Sequence, residues 1–522
     1  MSQKIERAEL HRALWKIAND LRGSVDGWDF KQYVLGFMFY RFISENLTQY
    51  LDSELEEGDA SYATMTNVEI AGNPEAIRDT VNEKGFFIFP EHLFENVRRR
   101  ANADSENLNE VLQEVFGAIE SSATGILSES DNKIRGLFDD MDVNSNKLGS
   151  SVSKRNDLLR KLLNEVGNFN LGNFADSHND TFGDAYEYLM GMYASTAGKS
   201  GGEYFTPTAV SELLAHIAVD GKKKVNKVYD PACGSGSLLL KFAKVLGKEN
   251  VKEGFFGQEI NLTTRNLALI NMFLHDLNYA QFDIAHGDTL IDPAHVDIEP
   301  FEAIVSNPPY SVKWEGDANP LLINDERFAP AGVLAPKSKA DLAFTMHILH
   351  WLAENGTAAI VEFPGVLYRG GAEAKIRKYL IEGNYVDAVI QLPPDLFFGT
   401  TIGTCIIVLK KAKKDNKTLF VDASAEFERS GNKNTITEVH RQKILDALAR
   451  REDAEYFAKL VDNSNIADND YNLSVSSYVE AEDTREVVDI VALNAEIERI
   501  VARQSQLRTE IDAIVAELES GK

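Results

Sequence analysis

The sequence predicts an α/β protein: one doubly wound, mostly parallel sheet with helical regions before and after it. Three observations lead there. Between about Asn170 and Asp422, short β-branched runs alternate with helical stretches, the pattern of a parallel sheet with crossover helices. Before that region apolar residues recur at three- and four-residue steps, the period of packed helices. After it they recur at seven-residue steps, the period of a coiled coil.

These patterns divide the chain into a helical domain over 1–165, an α/β domain over 166–425 and a helical region with a coiled-coil tail over 426–522. In the first, Leu10, Leu14, Ile17 and Leu21 form one stripe, and a helix starting near Asp29 carries Tyr33, Phe37, Tyr40 and Phe42. Such aromatics suit a base-stacking surface or a core, and helical spacing favours the core. In the second, seven strands are expected: Lys227 to Tyr229, Gly254 to Glu259, Phe282 to Ala285, Glu302 to Val305, Ala358 to Phe363, Val386 to Gln391 and Thr404 to Leu409. The connection from Asn307 to Lys339 is rich in Pro, Gly and Asn, and a loop of that length inside a compact domain is usually functional or disordered. In the third, Ile490, Ile497, Gln504, Ile511 and Leu518 fall on one heptad position, with Leu493, Ile500, Leu507 and Ile514 filling the seam. A coiled coil and a long helix folded back on its own domain both fit that pattern.

Composition narrows the function. With 522 residues, 44% hydrophobic and 26% charged, the chain is an ordinary globular composition with material for two to four domains. The densest apolar stretch, Tyr33 to Leu47, is broken by Arg41, Ser44 and Glu45, well short of the roughly 20 apolar residues of a membrane span. Met1 to Asp20 is studded with charges and has no apolar signal core, so a cytoplasmic location is expected. Cys233 and Cys405 have no His or Cys neighbours at ligand spacing, which argues against a disulfide framework and a metal site. The net charge of −27, from 81 acidic against 54 basic residues, is unsuited to gripping nucleic acid alone. Either nucleic acid is not the substrate or a partner supplies most of the grip.

The first chemical motif is a strand, a glycine turn and a helix: Tyr229 ends an apolar run, Asp230-Pro231-Ala232-Cys233-Gly234-Ser235-Gly236-Ser237 follows, and Leu238 to Val245 reads as helix. Gly234 and Gly236 let the backbone approach a ligand, and the helix start offers free amides. A later strand ends in Glu259, a carboxylate able to accept both hydroxyls of a ribose. Together they describe a nucleoside site. The dinucleotide fingerprint needs a third glycine where this chain has Leu239, and the Asp-Pro-Ala opening instead resembles motif I of S-adenosylmethionine-dependent methyltransferases. Gly287-Asp288, after the third strand, places another acid where it could meet the adenine ring of a cofactor; alone, such an acid is more often a turn former.

The most specific signal is Asn307-Pro308-Pro309-Tyr310, directly after the fourth strand. The exocyclic amine of adenine is a poor nucleophile because its lone pair is delocalised into the ring. The Asn307 side-chain oxygen and the Pro308 carbonyl can accept its two N–H bonds and draw that lone pair out of conjugation. The two prolines stiffen the backbone, and Tyr310 can stack on a flipped base. An ordinary rigid turn is the competing reading of these four residues in isolation.

With these motifs in place the chain resembles the modification (M) subunits of type I restriction-modification systems, a family of adenine-N6 DNA methyltransferases. The likeness runs through Arg7 to Asn46, Gly201 to Pro207, Asp230 to Ser237, Gly257 to Glu259, Asn307 to Tyr310, Phe397 to Thr401 and Asp470 to Val479. It implies a Rossmann-like methyltransferase domain that uses S-adenosyl-L-methionine. It implies that Glu203, Tyr204, Phe205, Thr206, Pro207 and Thr208 close over the methionine end of the cofactor, with Asp230, Cys233, Gly234, Ser235, Gly236, Glu259 and Asp288 forming the rest of its site. Asn307, Pro308, Pro309 and Tyr310 match the catalytic quartet, and Phe398 or its neighbour Phe397 takes the place of an aromatic set against the target base. The family further implies a specificity (S) subunit that reads the double-stranded DNA, two M subunits around one S, and a restriction (R) subunit. That division of labour accounts for the acidic charge. A protein-glutamine or RNA methyltransferase would use the same Asn-Pro-Pro-Tyr chemistry, and an inactive assembly scaffold would keep the fold. The Thr206-Pro207 segment and the C-terminal helices argue against the first, and the intact motifs against the second.

Overall fold

The computed structural model describes residues 27–56, 58–169, 181–196, 206–397, 400–431, 433–481 and 489–521. Two units are distinct, Met1–Val479 and Glu480–Lys522. The stripe from Leu10 to Leu21 lies outside the described residues.

At the centre of the first unit is a nine-stranded sheet: β1 (Val225–Asp230), β2 (Val251–Glu259), β3 (Phe282–His286), β4 (Phe301–Ser306), β5 (Leu352–Glu362), β6 (Val386–Gln391), β7 (Cys405–Lys410), β8 (Lys417–Asp422) and β11 (Ala458–Asp462), in the order β11-β8-β6-β7-β5-β4-β1-β2-β3. A two-stranded ribbon of β9 (Glu428–Ser430) and β10 (Lys433–Thr435) stands apart from it. All seven expected strands are present. Two more extend the sheet, so the expected count of seven is corrected to nine, and β11 lies inside the region read as helical. Its sequence, Ala-Lys-Leu-Val-Asp, is too short to declare a strand, and what makes it one is antiparallel pairing with β8, Lys459 opposite Phe420 and Val461 opposite Thr418. β7 runs antiparallel between β5 and β6, while β3, β2, β1, β4 and β5 are parallel neighbours.

Strand order reverses beside β1, so the crevice at the carboxyl ends of β1, β2 and β4 is the place where such a sheet binds ligands. The strands are apolar on both faces because both are covered. Along β5, Ala359 and Val361 enter one core while Ala358 and Ile360 enter the other; along β7, Ile406 and Val408 alternate with Ile407 and Leu409 in the same way.

The N-terminal helices share the first of these cores. The helix Gly27–Ser53 buries Tyr33, Phe37, Tyr40 and Phe42, so the aromatic stripe is packing, as its spacing indicates. Phe39 lies 5.9 Å, ring to ring, from Phe273 on the helix Leu262–Leu274, which itself covers the sheet. Each such buried ring stabilises by roughly 2–3 kcal/mol relative to exposure. The connection between Asn307 and Lys339 is neither regular nor loose: it holds three short 3-10 turns, and the buried Arg327 donates to the Thr289 and Leu290 carbonyls at 2.8 Å each while pairing with Asp325 at 2.7 Å. Lysines at and just past the end of β7 are anchored rather than free in solvent. Lys410 pairs with Asp220 at 3.0 Å, and Lys413, whose ammonium is pulled down to about 8 chiefly by burial, donates to the Val386 and Lys417 carbonyls.

Among its described residues the second unit holds one long helix, Ile490–Glu519, started by the Asp489 carboxylate accepting from the Val491 and Ala492 amides at 3.0 Å. Its heptad residues are exposed, from 42% at Leu507 to 75% at Leu518. Among the described residues no helix is long and apolar enough to cross a membrane.

Candidate active site

The carboxyl end of β1 delivers Asp230 into the protein interior, fully buried. Its Oδ1 accepts from the Ala232 amide at 3.0 Å and the Ser306 hydroxyl at 2.9 Å, while Oδ2 has no partner among the described residues. Burial pushes this carboxyl up to about 7, against the pull of those two hydrogen bonds. The chain then turns through Gly234 (φ 54°) and Gly236 (φ 77°) into the helix Ser237–Leu246. A Cβ at Gly236 would meet the movable end of Met272 at 2.7 Å, so it is the left-handed backbone that favours glycine there.

Glu259, at the end of β2, braces this turn. Its Oε2 accepts from the Gly234 amide at 3.1 Å and its Oε1 from the Asn261 amide at 2.9 Å. Cys233 is buried, donates its amide to the Gln258 carbonyl at 3.0 Å and packs against Gly257, where a Cβ would approach Sγ to 3.0 Å. Ser235 is buried, and its carbonyl accepts from Asn271 at 2.8 Å. Asp288 accepts from the Leu290 amide at 2.9 Å, the turn-forming role its sequence setting suggests.

β4 ends at Ser306, and Asn307 follows it half-buried beside this cleft. The Tyr310 hydroxyl donates to Asn307 Oδ1 at 2.6 Å, and Asn307 Nδ2 donates to the Thr206 hydroxyl at 3.1 Å. Both ends of the carboxamide are therefore oriented. Burial, and then the nearby Glu362, raises the Tyr310 phenol well above its ordinary range, which keeps it a donor. Pro308 is buried, Pro309 exposed.

The structure thus brings Thr206, Asp230, Gly234, Gly236, Glu259 and Asn307 to Tyr310 to one end of the sheet. Pro207 precedes the helix Thr208–Val219, its carbonyl accepting from the Val210 and Ser211 amides. Glu203, Tyr204, Phe205 and Phe398 lie outside the described residues. Phe397 is buried in the core at 4% exposure. Two residues escaped sequence reasoning. Phe363, just past β5, has its ring 6.4 Å from that of Tyr310, and its position at a parallel strand end was the available signal. Asp341, which accepts from the Ser311 amide at 3.1 Å, carried no signal, because the two are thirty residues apart.

The profile of the N-6 DNA methylase family matches residues 177–487, and that of the HsdM N-terminal domain matches 10–166. The chain is 46% identical to the type I restriction enzyme MpnII methylase subunit of Mycoplasma pneumoniae, over 98% of this chain and 97% of that one. It belongs to the family of type I restriction enzyme methylase subunits. Within that family it is 28% identical to the MjaVII methylase subunit of Methanocaldococcus jannaschii, over 98% of this chain and 84% of that one. The fold matches the crystal structure of a type I restriction-modification system methyltransferase subunit from Streptococcus thermophilus, with a TM-score of 0.81 and 36% identity over 91% of this chain and all of that one.

Proposed function

We propose that the chain is the catalytic subunit that transfers a methyl group from S-adenosylmethionine to the exocyclic amine of an adenine turned out of double-stranded DNA. The observation that carries this reading is the doubly held Asn307 carboxamide at the mouth of a nucleoside cradle. With Nδ2 donating to Thr206 and Oδ1 accepting from Tyr310, the second lone pair of Oδ1 accepts one N–H of the target amine. The Pro308 carbonyl accepts the other, and the rings of Tyr310 and Phe398 hold the base.

The residues present fit the cofactor. Asp230 Oδ2, without a partner among the described residues, suits its cationic methionine end, the left-handed Gly234 and Gly236 leave room for it, and the Glu259 carboxylate at the end of β2 suits its ribose. Glu203 to Thr208 close over it and Asp288 lies at its adenine edge. When bound, the sulfonium supplies an activated methyl group. The chain's own contribution is to hold and desolvate the amine in line with it, with no strong base required.

Target choice falls to an S subunit, with two copies of this chain around one S and an R subunit added for restriction, in the cytoplasm where the DNA lies. The charge of −27 supports a shared grip on DNA, and the exposed heptad face of Ile490–Glu519 supports docking through that helix. A protein-glutamine or RNA substrate finds no support in a whole-length likeness to DNA methylase subunits. The test is mass spectrometry of DNA digested after incubation with the chain, its S subunit and labelled cofactor. N6-methyladenine is expected, and methylcytosine or a methylated protein would overturn the reading.

A further inference from the structure

Ser311, the residue directly after the quartet, sits in a left-handed backbone conformation at φ 53°. For a residue with a Cβ this costs about 1–2 kcal/mol, and such strain persists only where the surroundings impose it. Ser311's own side chain is exposed, so its packing imposes nothing. What holds the bend is its amide, which donates to Asp341 Oδ1 at 3.1 Å.

Asp341 is 1% exposed and opens the helix Asp341–Trp351, yet no side chain caps that helix and the carboxylate is directed to the loop instead. Two backbone hydrogen bonds close the base of the long connection at the same place: Ala340 to the Val312 carbonyl at 2.9 Å and Trp314 to the Lys337 carbonyl at 3.1 Å. A second buried acid, Glu362, follows on β5. Its Oε1 accepts from the Thr345 hydroxyl at 2.8 Å, and burial, then the charge of Asp341, holds its carboxyl well above the usual range. One oxygen of each acid has no partner among the described residues. Burying two carboxyls behind a surface turn is unfavourable unless they fix something there.

We propose that Asp341 is a positioning residue for methyl transfer: by accepting the Ser311 amide it holds the backbone after Tyr310 in its left-handed bend and so fixes the shape of the turn from Asn307 to Tyr310. The inference rests on the functional reading above. It separates the stiffness of the quartet into two sources, the prolines within it and a buried acid beyond it.

The test uses the full chain with its S subunit and two readouts, amide hydrogen exchange over 307–314 and single-turnover methyl transfer. Asp341→Ala should raise exchange there and lower the transfer rate, each by about tenfold for one lost charge-assisted hydrogen bond, with cofactor affinity within twofold of wild type. Asp341→Asn keeps an acceptor oxygen and should restore most of the rate. Ser311→Gly added to Asp341→Ala should restore part of it, because glycine takes the left-handed bend without cost. Should Asp341→Ala not fold, Ser311→Pro carries the same test, since it removes the same donor and forces φ to about −65°. Unchanged exchange in Asp341→Ala, raised exchange with an unchanged rate, or an Asn variant as slow as the Ala variant would each overturn the proposal. Absence of adenine methylation by the wild-type complex would defeat the functional reading instead, and the exchange measurement would still decide the Asp341 contact.

Discussion

The Thr206 hydroxyl accepts a hydrogen bond from the Asn307 carboxamide nitrogen across 3.1 Å, joining the segment before the helix Thr208–Val219 to the turn after β4. A hundred and one residues separate the two in sequence. The contact couples the two segments and holds one end of the Asn307 carboxamide, which on the proposed reading leaves the other end for the target amine.

Thr206→Val keeps the side-chain shape and removes the acceptor. The methyl-transfer rate should fall about five- to tenfold, the equivalent of about 1 kcal/mol, while Thr206→Ser stays near wild type. Single-turnover kinetics with calorimetric cofactor titration checks this. A loss confined to cofactor affinity would assign Thr206 to the cofactor alone.

Asn307→Ala removes an acceptor that matters most as the amine turns tetrahedral, so the loss should fall on turnover and spare cofactor binding. Tyr310→Phe keeps the stacking ring but frees Asn307 Oδ1, and a loss of a few-fold is expected. Tyr310→Ala should lose a further 1–3 kcal/mol, roughly, of base stacking. Fluorescence of 2-aminopurine at the target position reports capture of the base. Full activity in Asn307→Ala would remove the quartet from the mechanism.

Glu259→Ala should weaken cofactor binding by about 1–3 kcal/mol, through lost ribose contacts and loss of the brace on the Gly234 amide. Unchanged affinity in calorimetry would move the ribose elsewhere.

Asp230 should make cofactor binding pH-dependent. Its carboxyl sits at about 7 in the folded chain against an ordinary 3.8, so between those values the folded state holds a proton that the unfolded state has released. Stability from this group therefore falls as pH rises from about 4 to about 7 and is level above. A cationic ligand end favours the carboxylate, so binding at pH 6.5 should release a proton and tighten as pH rises through 7. Calorimetry in buffers of different ionisation heat measures this. Equal heats in all buffers, or the same pH dependence in Asp230→Asn, would contradict it.

Removing residues 490–522 should abolish assembly with the S subunit and leave cofactor affinity intact, because the helix Ile490–Glu519 belongs to a separate unit from the sheet. Size-exclusion chromatography of the mixture reads the outcome. Normal assembly of the shortened chain would exclude the heptad face as the docking element.

The amino-acid sequence by itself determined the strands and turns whose residues are neighbours in the chain. Continuous apolar runs mark β1 to β7 because both faces of the sheet are covered, and Gly234, Gly236 and Asn307 to Tyr310 declare their chemistry because each motif acts through adjacent backbone atoms. The aromatic stripe of Tyr33 to Phe42 was equally plain, since helical period and burial are properties of one segment. Tertiary structure alone decided the rest. β11 is a strand because β8 lies beside it; Phe397 is core because it joins a hydrophobic cluster drawn from distant parts of the chain; and Thr206, Asp341 and Phe363 reach the quartet or the residue after it from elements 101, 30 and 53 residues away from Asn307, Ser311 and Tyr310. Hydrogen bonds between side chains far apart in sequence leave no periodic trace, because their geometry exists only once the sheet has brought the strand ends together.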